Sequence, residues 1–469
     1  MKRIIALVFT CGAFAATALA QRPAATPEQQ AAQKAAADAT QADRNDMMKQ
    51  LGITTMRPPK NGSDSTAANF TNYDESKANP YPELPEVLKF NDGKKVAKAS
   101  EWPKRRAEIV ELFEKEVYGR IPKNVPKVTW RVYKDSDQVV NNIPVNVKQL
   151  VGHVDNSAYP AINVDIQLTL TVPKSATKAV PVIMIFGGQD FLAPRPAGGF
   201  GAGGFGPPRA GGPGGATAPK SAQQQILEKG WAYANLNPGT IQADNGAGLT
   251  KGIIGLVNKG QFRKPDDWGA LRAWAWGADR AIDYFETNKA VDAKKVAIEG
   301  HSRYGKGAIV ALAFNPRMAT AYVSSSGEGG AKIHRRNFGE VIENVTASSE
   351  YHWMAGNFLK YGSTLQWNDL PIDSHELIAL CAPRPVFISG GKVAKVGQDG
   401  WVDAPGMFMA AAAAGPVYTL LGKKPMETSV FPKIETMVDG DVAFRQHSGG
   451  HTDGPNWPYF LTWADKYFK

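Results

Sequence analysis

Between Lys295 and Phe314 the chain passes from a short strand, through a serine flanked by glycines, into an apolar helix. Val296-Ala297-Ile298-Glu299 is apolar enough to be buried on both faces, as a strand of a parallel sheet requires. It enters Gly300-His301-Ser302-Arg303-Tyr304-Gly305-Lys306, and Lys306 to Phe314 reads as a helix. A turn of this kind lifts a serine hydroxyl to the carboxyl edge of the sheet, beside a positive helix N-terminus. The second glycine comes one residue later than in G-x-S-x-G, so on the motif alone a serine that merely caps the helix stays open. Arg303 and Lys306 argue for chemistry instead. Cations at a helix start are disfavoured by ~0.3–1 kcal/mol each, and two together suit a site where an ester oxygen gains negative charge or sugar hydroxyls need donors. The bland alternative is that each snorkels to solvent.

The surrounding pattern fits that turn. Trp102 to Tyr118 predicts a helix, with Ile109, Leu112, Phe113 and Val117 at helical spacing and Gly119 as a stop. Lys127 to Tyr133 and Ile162 to Val172 alternate as strands open on one face, and Val180 to Phe186 is an apolar run suited to a doubly covered strand. Strand and helix then alternate: Trp231 to Leu236, the helix Asp267 to Thr287, the serine unit, Thr320 to Ser325, the helix His375 to Cys381 and Pro385 to Ser389. Such alternation specifies an α/β fold with a mostly parallel sheet. Residues 187–219, dominated by Gly, Pro and Ala, read as a loop insertion.

The N-terminus carries an address. Lys2 and Arg3, the apolar stretch Ile4 to Ala16 and Ala18-Leu19-Ala20 before Gln21 form a secretory signal peptide over residues 1–20. A periplasmic or secreted protein is expected. Cleavage leaves Cys381 as the single cysteine, so no internal disulfide is available. Residues 21–71, rich in Ala, Gln, Thr and Asp, read as a disordered or loosely helical tether, with the catalytic domain over 72–469. The net charge of +10 is spread along the chain with no basic arm, which suits an acidic substrate or simple solubility and gives no nucleic-acid module. No run after the signal reaches the ~20 apolar residues of a membrane span.

Taken together, these segments resemble the glucuronoyl esterases, carbohydrate esterase family fifteen. The resemblance rests on Gly300 to Lys306, similar to that family's G-C/H-S-R-x-G-K, and on Ser326-Gly327-Glu328-Gly329-Gly330. It extends to Tyr351-His352-Trp353-Met354, Asn357-Phe358, Leu370-Pro371, Ala382-Pro383-Arg384-Pro385 and His447-Ser448-Gly449-Gly450-His451-Thr452-Asp453. It implies a three-layer α/β hydrolase that cleaves the ester between 4-O-methyl-glucuronic acid of xylan and lignin alcohols. Ser302 would be the nucleophile, and Arg303 would help to hold the oxyanion. Lys306, Glu340 and Trp401 would bind the sugar. His301 stands where fungal members have Cys, which points to the bacterial branch. The fungal acid position falls on Ser325, whereas Asp399-Gly400-Trp401 matches the Asp-x-Trp segment of some bacterial members.

Seven histidines compete for the role of base. A hydrolase of this type orders its triad Ser, acid, His, which His451 satisfies with Asp399. His447 is the near rival. Asp403 is close enough to be mistaken for the acid, and Glu328 is the alternative on the earlier loop. No His pair or surviving Cys pair has metal-ligand spacing, and no dinucleotide fingerprint follows a strand, so neither metal nor cofactor is expected. The expected partner is glucuronoxylan or a lignin–carbohydrate ester, and a monomer is expected. Two other readings stay open: an exported acetyl-xylan or other carbohydrate acyl esterase, and a non-catalytic polysaccharide-binding protein on a hydrolase scaffold.

Overall fold

The computed structural model describes residues 26–193, 219–392 and 399–469. The signal peptide and most of the 187–219 insertion lie outside the described residues. A ten-stranded sheet organises the rest, in the order β1-β2-β3-β5-β4-β6-β7-β8-β10-β9. Its strands are β1 (Val128–Val140), β2 (Ile143–Val154), β3 (Asp165–Pro173), β4 (Val180–Phe186), β5 (Ala232–Leu236), β6 (Val291–His301), β7 (Thr320–Ser324), β8 (Val386–Gly390), β9 (Met437–Val438) and β10 (Val442–Gln446). From β5 through β4, β6, β7 and β8 to β10 every pairing is parallel, while β1, β2, β3 and β9 add antiparallel margins.

The sheet is covered on both faces. On one face the helices Trp102–Glu116, Ala270–Thr287, Arg303–Phe314, Ser374–Cys381 and Ala404–Ala413 pack a large apolar core. On the other, Ala222–Glu228 and Trp457–Phe468 close a second core around Ile183, Ala297, Tyr322 and Phe387. The mostly parallel sheet is the one expected from the alternation, and its covering makes the three-layer α/β hydrolase that the resemblance implies. Doubly covered strands cannot alternate strictly: β7 and β8 are buried at every residue.

Two expectations need correction. β3 is not open on one face, because Gln167 and Thr171 are buried along with its apolar residues. It lies inside the sheet between β2 and β5, not at its margin. Order also begins well before Asn72. Pro27–Gln50 is a 24-residue helix, started by a Thr26–Gln29 capping box with Pro at the first turn. Its first half is exposed, but Asp43 and Met47 are buried against the body. The low-complexity composition hid this, because two buried anchors suffice to dock a helix whose remaining faces are polar.

Candidate active site

The serine unit is built by strain and by close backbone approach. Ser302 sits at φ +59° and ψ −129° between β6 and the helix Arg303–Phe314, and its side chain makes no capping hydrogen bond. A non-glycine residue held there costs on the order of 1–3 kcal/mol, so a simple cap does not account for it. The flanking glycines are required for space. A Cβ on Gly300 would lie 2.0 Å from the Tyr304 carbonyl oxygen, and one on Gly305 would lie 2.6 Å from that of Ser324. The second glycine is displaced in sequence yet serves the same contact between strand and helix.

The loops after β8 and β10 bring the acid and the histidine together. His451 Nδ1 lies 2.6 Å from Asp399 Oδ1. Asp399 is fully buried, and its Oδ2 accepts from Ser325 Oγ at 2.6 Å and from the Gly391 N–H. Burial alone would raise this carboxyl, but the bonds from His451 and Ser325 outweigh it and hold it below the usual carboxylate range. His451 is partly open to solvent, with 42% of its side chain exposed.

The rival residues are occupied elsewhere. His447 Nε2 lies 2.8 Å from the Thr452 carbonyl, and its Nδ1 accepts the Gly449 N–H, so both ring nitrogens serve the loop backbone. Asp403 bonds Arg336 at 2.7 Å and caps the helix Ala404–Ala413 through the Gly406 N–H. Glu328 is fully buried in a cluster with Lys332, at 3.0 Å, and His334. His375 bonds the Pro85 carbonyl, and His153 pairs with Asp165 on the surface. His301 packs its ring against that of His451, with centroids 4.3 Å apart. Its Nδ1 lies 3.1 Å from Ser324 Oγ. Burial, followed by the nearby charge of His451, pulls the His301 pKa down to about 4, so this neighbour is neutral at working pH.

The two cations behave differently. Arg303 is half exposed and bonds Asp244 Oδ2 at 2.7 Å. Asp244 also takes His352 Nε2 at 2.9 Å and Trp353 Nε1 at 2.6 Å. Burial would raise the Asp244 carboxyl, but these three donors hold it well below the ordinary range. Lys306 does not snorkel. Its buried ammonium donates to the carbonyls of Ser326 (2.8 Å) and Glu328 (2.7 Å) and to Glu340 Oε2 (2.7 Å). A sugar hydroxyl reaches that nitrogen only by displacing one of them. Glu340 Oε2 also takes the Glu328 N–H, which among the described residues leaves Oε1 without a protein partner. The Glu340 N–H bonds the Trp401 carbonyl at 2.7 Å, so these two candidates for sugar contact share one piece of backbone.

Neither Asp244 nor Glu350 stands out in the sequence. Asp244 lies in a Gly-containing loop past the carboxyl end of β5, the sheet edge where ligands bind in α/β folds, and that placement was the available signal. Glu350 is pushed up to about 8, first by burial and then by the charge of Glu340, with Lys306 and Arg303 opposing. Among the described residues no group of three or more His, Cys, Asp or Glu side chains is placed to hold a metal ion.

A serine on a strained turn after the central strand, a histidine–carboxylate pair from two later loops and an arginine beside the serine define a hydrolase site on an α/β-hydrolase scaffold. The family profile described as glucuronyl esterase, fungi, matches residues 218–422. Carbohydrate esterase MZ0003, from an unknown prokaryotic organism, is 31% identical over 425 residues, covering 84% of this chain and 91% of that protein. A family-fifteen glucuronoyl esterase from Teredinibacter turnerae superposes with a TM-score of 0.81 at 36% identity, over 92% of this chain and all of the other. A 4-O-methyl-glucuronoyl methylesterase from Wolfiporia cocos is 36% identical over 161 residues, or 33% of this chain; the match spans 38% of that protein's length. The chain belongs to carbohydrate esterase family fifteen, the glucuronoyl esterases.

Proposed function

We propose that the protein hydrolyses the ester between 4-O-methyl-glucuronic acid of glucuronoxylan and lignin alcohols, as an exported monomer whose catalytic domain follows the signal peptide of residues 1–20. The observation that carries this reading is the 2.6 Å contact between His451 and buried Asp399, at the same sheet edge as the strained Ser302. Ser302 Oγ attacks the ester carbonyl while His451 Nε2 takes its proton, and Asp399 holds the Nδ1–H and stabilises the imidazolium. The oxyanion is taken up by the Arg303 guanidinium and backbone N–H. Collapse expels the alcohol, which receives the proton from His451, and water then releases the uronate by the same steps in reverse.

Lys306, Glu340 and Trp401 serve the sugar. Because the Lys306 ammonium is directed to three protein acceptors, it acts mainly by orienting Glu340. No helix among the described residues is long and apolar enough to cross a membrane. The test compares a methyl ester of 4-O-methyl-glucuronate with an acetylated xylo-oligosaccharide. Turnover of the uronate ester is expected, with loss of at least about a thousandfold on Ser302→Ala. Cleavage of the acetyl ester alone would reject the uronate, and binding without turnover would leave a carbohydrate-binding protein.

A further inference from the structure

The segment from Thr40 to Tyr73, read from composition as tether up to residue 71, reaches both walls of the site. On the Arg303 side, the Tyr351 hydroxyl lies 2.8 Å from Asp43 Oδ2 and 3.0 Å from the Thr40 carbonyl. Tyr351 immediately precedes His352 and Trp353, which grip Asp244, which in turn grips Arg303. Gly246, two residues past Asp244, leaves room for this contact; a Cβ there would lie 2.6 Å from the Tyr351 hydroxyl and 2.7 Å from Thr40 Cγ2. Met47 seats the same helix on Gly356, where a Cβ would be 2.1 Å from its sulfur.

On the sugar side, Gly62 lies flat against the Trp401 ring, and a Cβ at that position would be 2.3 Å from Cε3 and 2.4 Å from Cζ3. Its carbonyl is held by the Tyr73 hydroxyl at 2.9 Å. Asn72 accepts the Gly339 N–H at 3.0 Å, one residue before Glu340. The contacts on the two walls come from different parts of one segment, so neither wall is set by the hydrolase scaffold alone.

We infer that Thr40–Tyr73 is an intramolecular brace, in which Asp43 is a positioning residue for Arg303 and Gly62 one for Trp401. The inference rests on the roles proposed above for those two side chains. The test uses the mature chain with two probes: the methyl ester of 4-O-methyl-glucuronate, which needs both walls, and 4-nitrophenyl acetate, which needs the oxyanion but no sugar wall. Gly62→Ala is expected to raise KM for the uronate ester at least fivefold, with kcat and acetate hydrolysis within twofold. Asp43→Leu, which cannot accept from Tyr351, is expected to lower kcat on both probes at least fivefold. Asp43→Asn keeps an acceptor oxygen and is expected to restore kcat to within twofold. Unchanged kinetics in Gly62→Ala and Asp43→Leu overturn the brace, as does an Asp43→Asn enzyme no better than Asp43→Leu. A wild type that cleaves the acetate but not the uronate ester overturns the functional reading instead, and leaves the Asp43 pair to decide the brace on the acetate.

Discussion

Ser325 donates its hydroxyl to the Asp399 carboxylate at 2.6 Å, so the loop after β7 and the loop after β8 meet at the oxygen atoms beside His451. Two sequence positions 74 residues apart therefore offer the same point in space to an acid. This explains how the acid can lie on either loop without rebuilding the site. Asp399→Ala is expected to lower kcat about 10⁴-fold, the size of loss seen when a triad acid is removed. Adding Ser325→Asp should recover at least about tenfold of that, since Ser325 stands at φ +45°, a region Asp tolerates. Steady-state kinetics of the single and double variants check this. A double variant no faster than Asp399→Ala would show that the two loops are not interchangeable.

Glu328 behaves as a structural carboxylate. It is buried, and although burial raises its pKa, Lys332 and His334 bring it below the ordinary value. Glu328→Ala would leave a buried ammonium without its partner, a loss of about 3–5 kcal/mol. A clear fall in melting temperature is expected, while kcat of the folded fraction stays within about threefold because the triad is untouched. A loss of kcat to the level of Asp399→Ala, with no change in melting temperature, would return the catalytic acid to the earlier loop.

In the proposed reaction Arg303 meets the ester oxygen, and Asp244 accepts a hydrogen bond from its guanidinium at 2.7 Å. Asp244→Ala frees Arg303 and also strips the acceptor from His352 and Trp353. Loss of one oxyanion donor costs about 10²–10³ in kcat, and a displaced donor should cost less than a deleted one. The expected drop is about tenfold for Asp244→Ala against about a hundredfold for Arg303→Ala. Equal losses would mean that Asp244 does more than orient the arginine.

How much of this was legible in the chain depends on the range of the signal. The serine turn, the apolar strands and the parallel alternation are local patterns, and Val180 to Phe186 agrees with β4 to the residue. Asp399 and His451, which the structure brings to 2.6 Å, were singled out by their order and by resemblance, since nothing local marks a loop carboxylate as buried. The brace was invisible for a different reason. Gly62 and Asp43 matter through contacts with Trp401 and Tyr351, more than 300 residues away, and the polar faces of the helix Pro27–Gln50 mask its two anchors. Asp244 fell between these cases, because a carboxylate in a Gly-containing loop reads as a turn residue until its three donors are seen.

The packing of the His301 ring against His451, tilted by 51°, has a consequence for acid stability. Burial, reinforced by the charge of His451, gives His301 a folded-state pKa of about 4, against about 6.5 unfolded. Between these values the unfolded chain binds the extra proton, so stability rises with pH across this window. This contribution is fully present above about pH 6.5 and is lost as pH falls toward 4, a change of about 3 kcal/mol at most. His301→Phe keeps an aromatic ring against His451 but has nothing to protonate. Denaturant melts at pH 4, 5, 6 and 7 should therefore show a shallower acid-side loss for His301→Phe than for wild type. Parallel curves would mean that His301 is solvated well enough to titrate normally, and that its neutrality beside His451 is not imposed by burial.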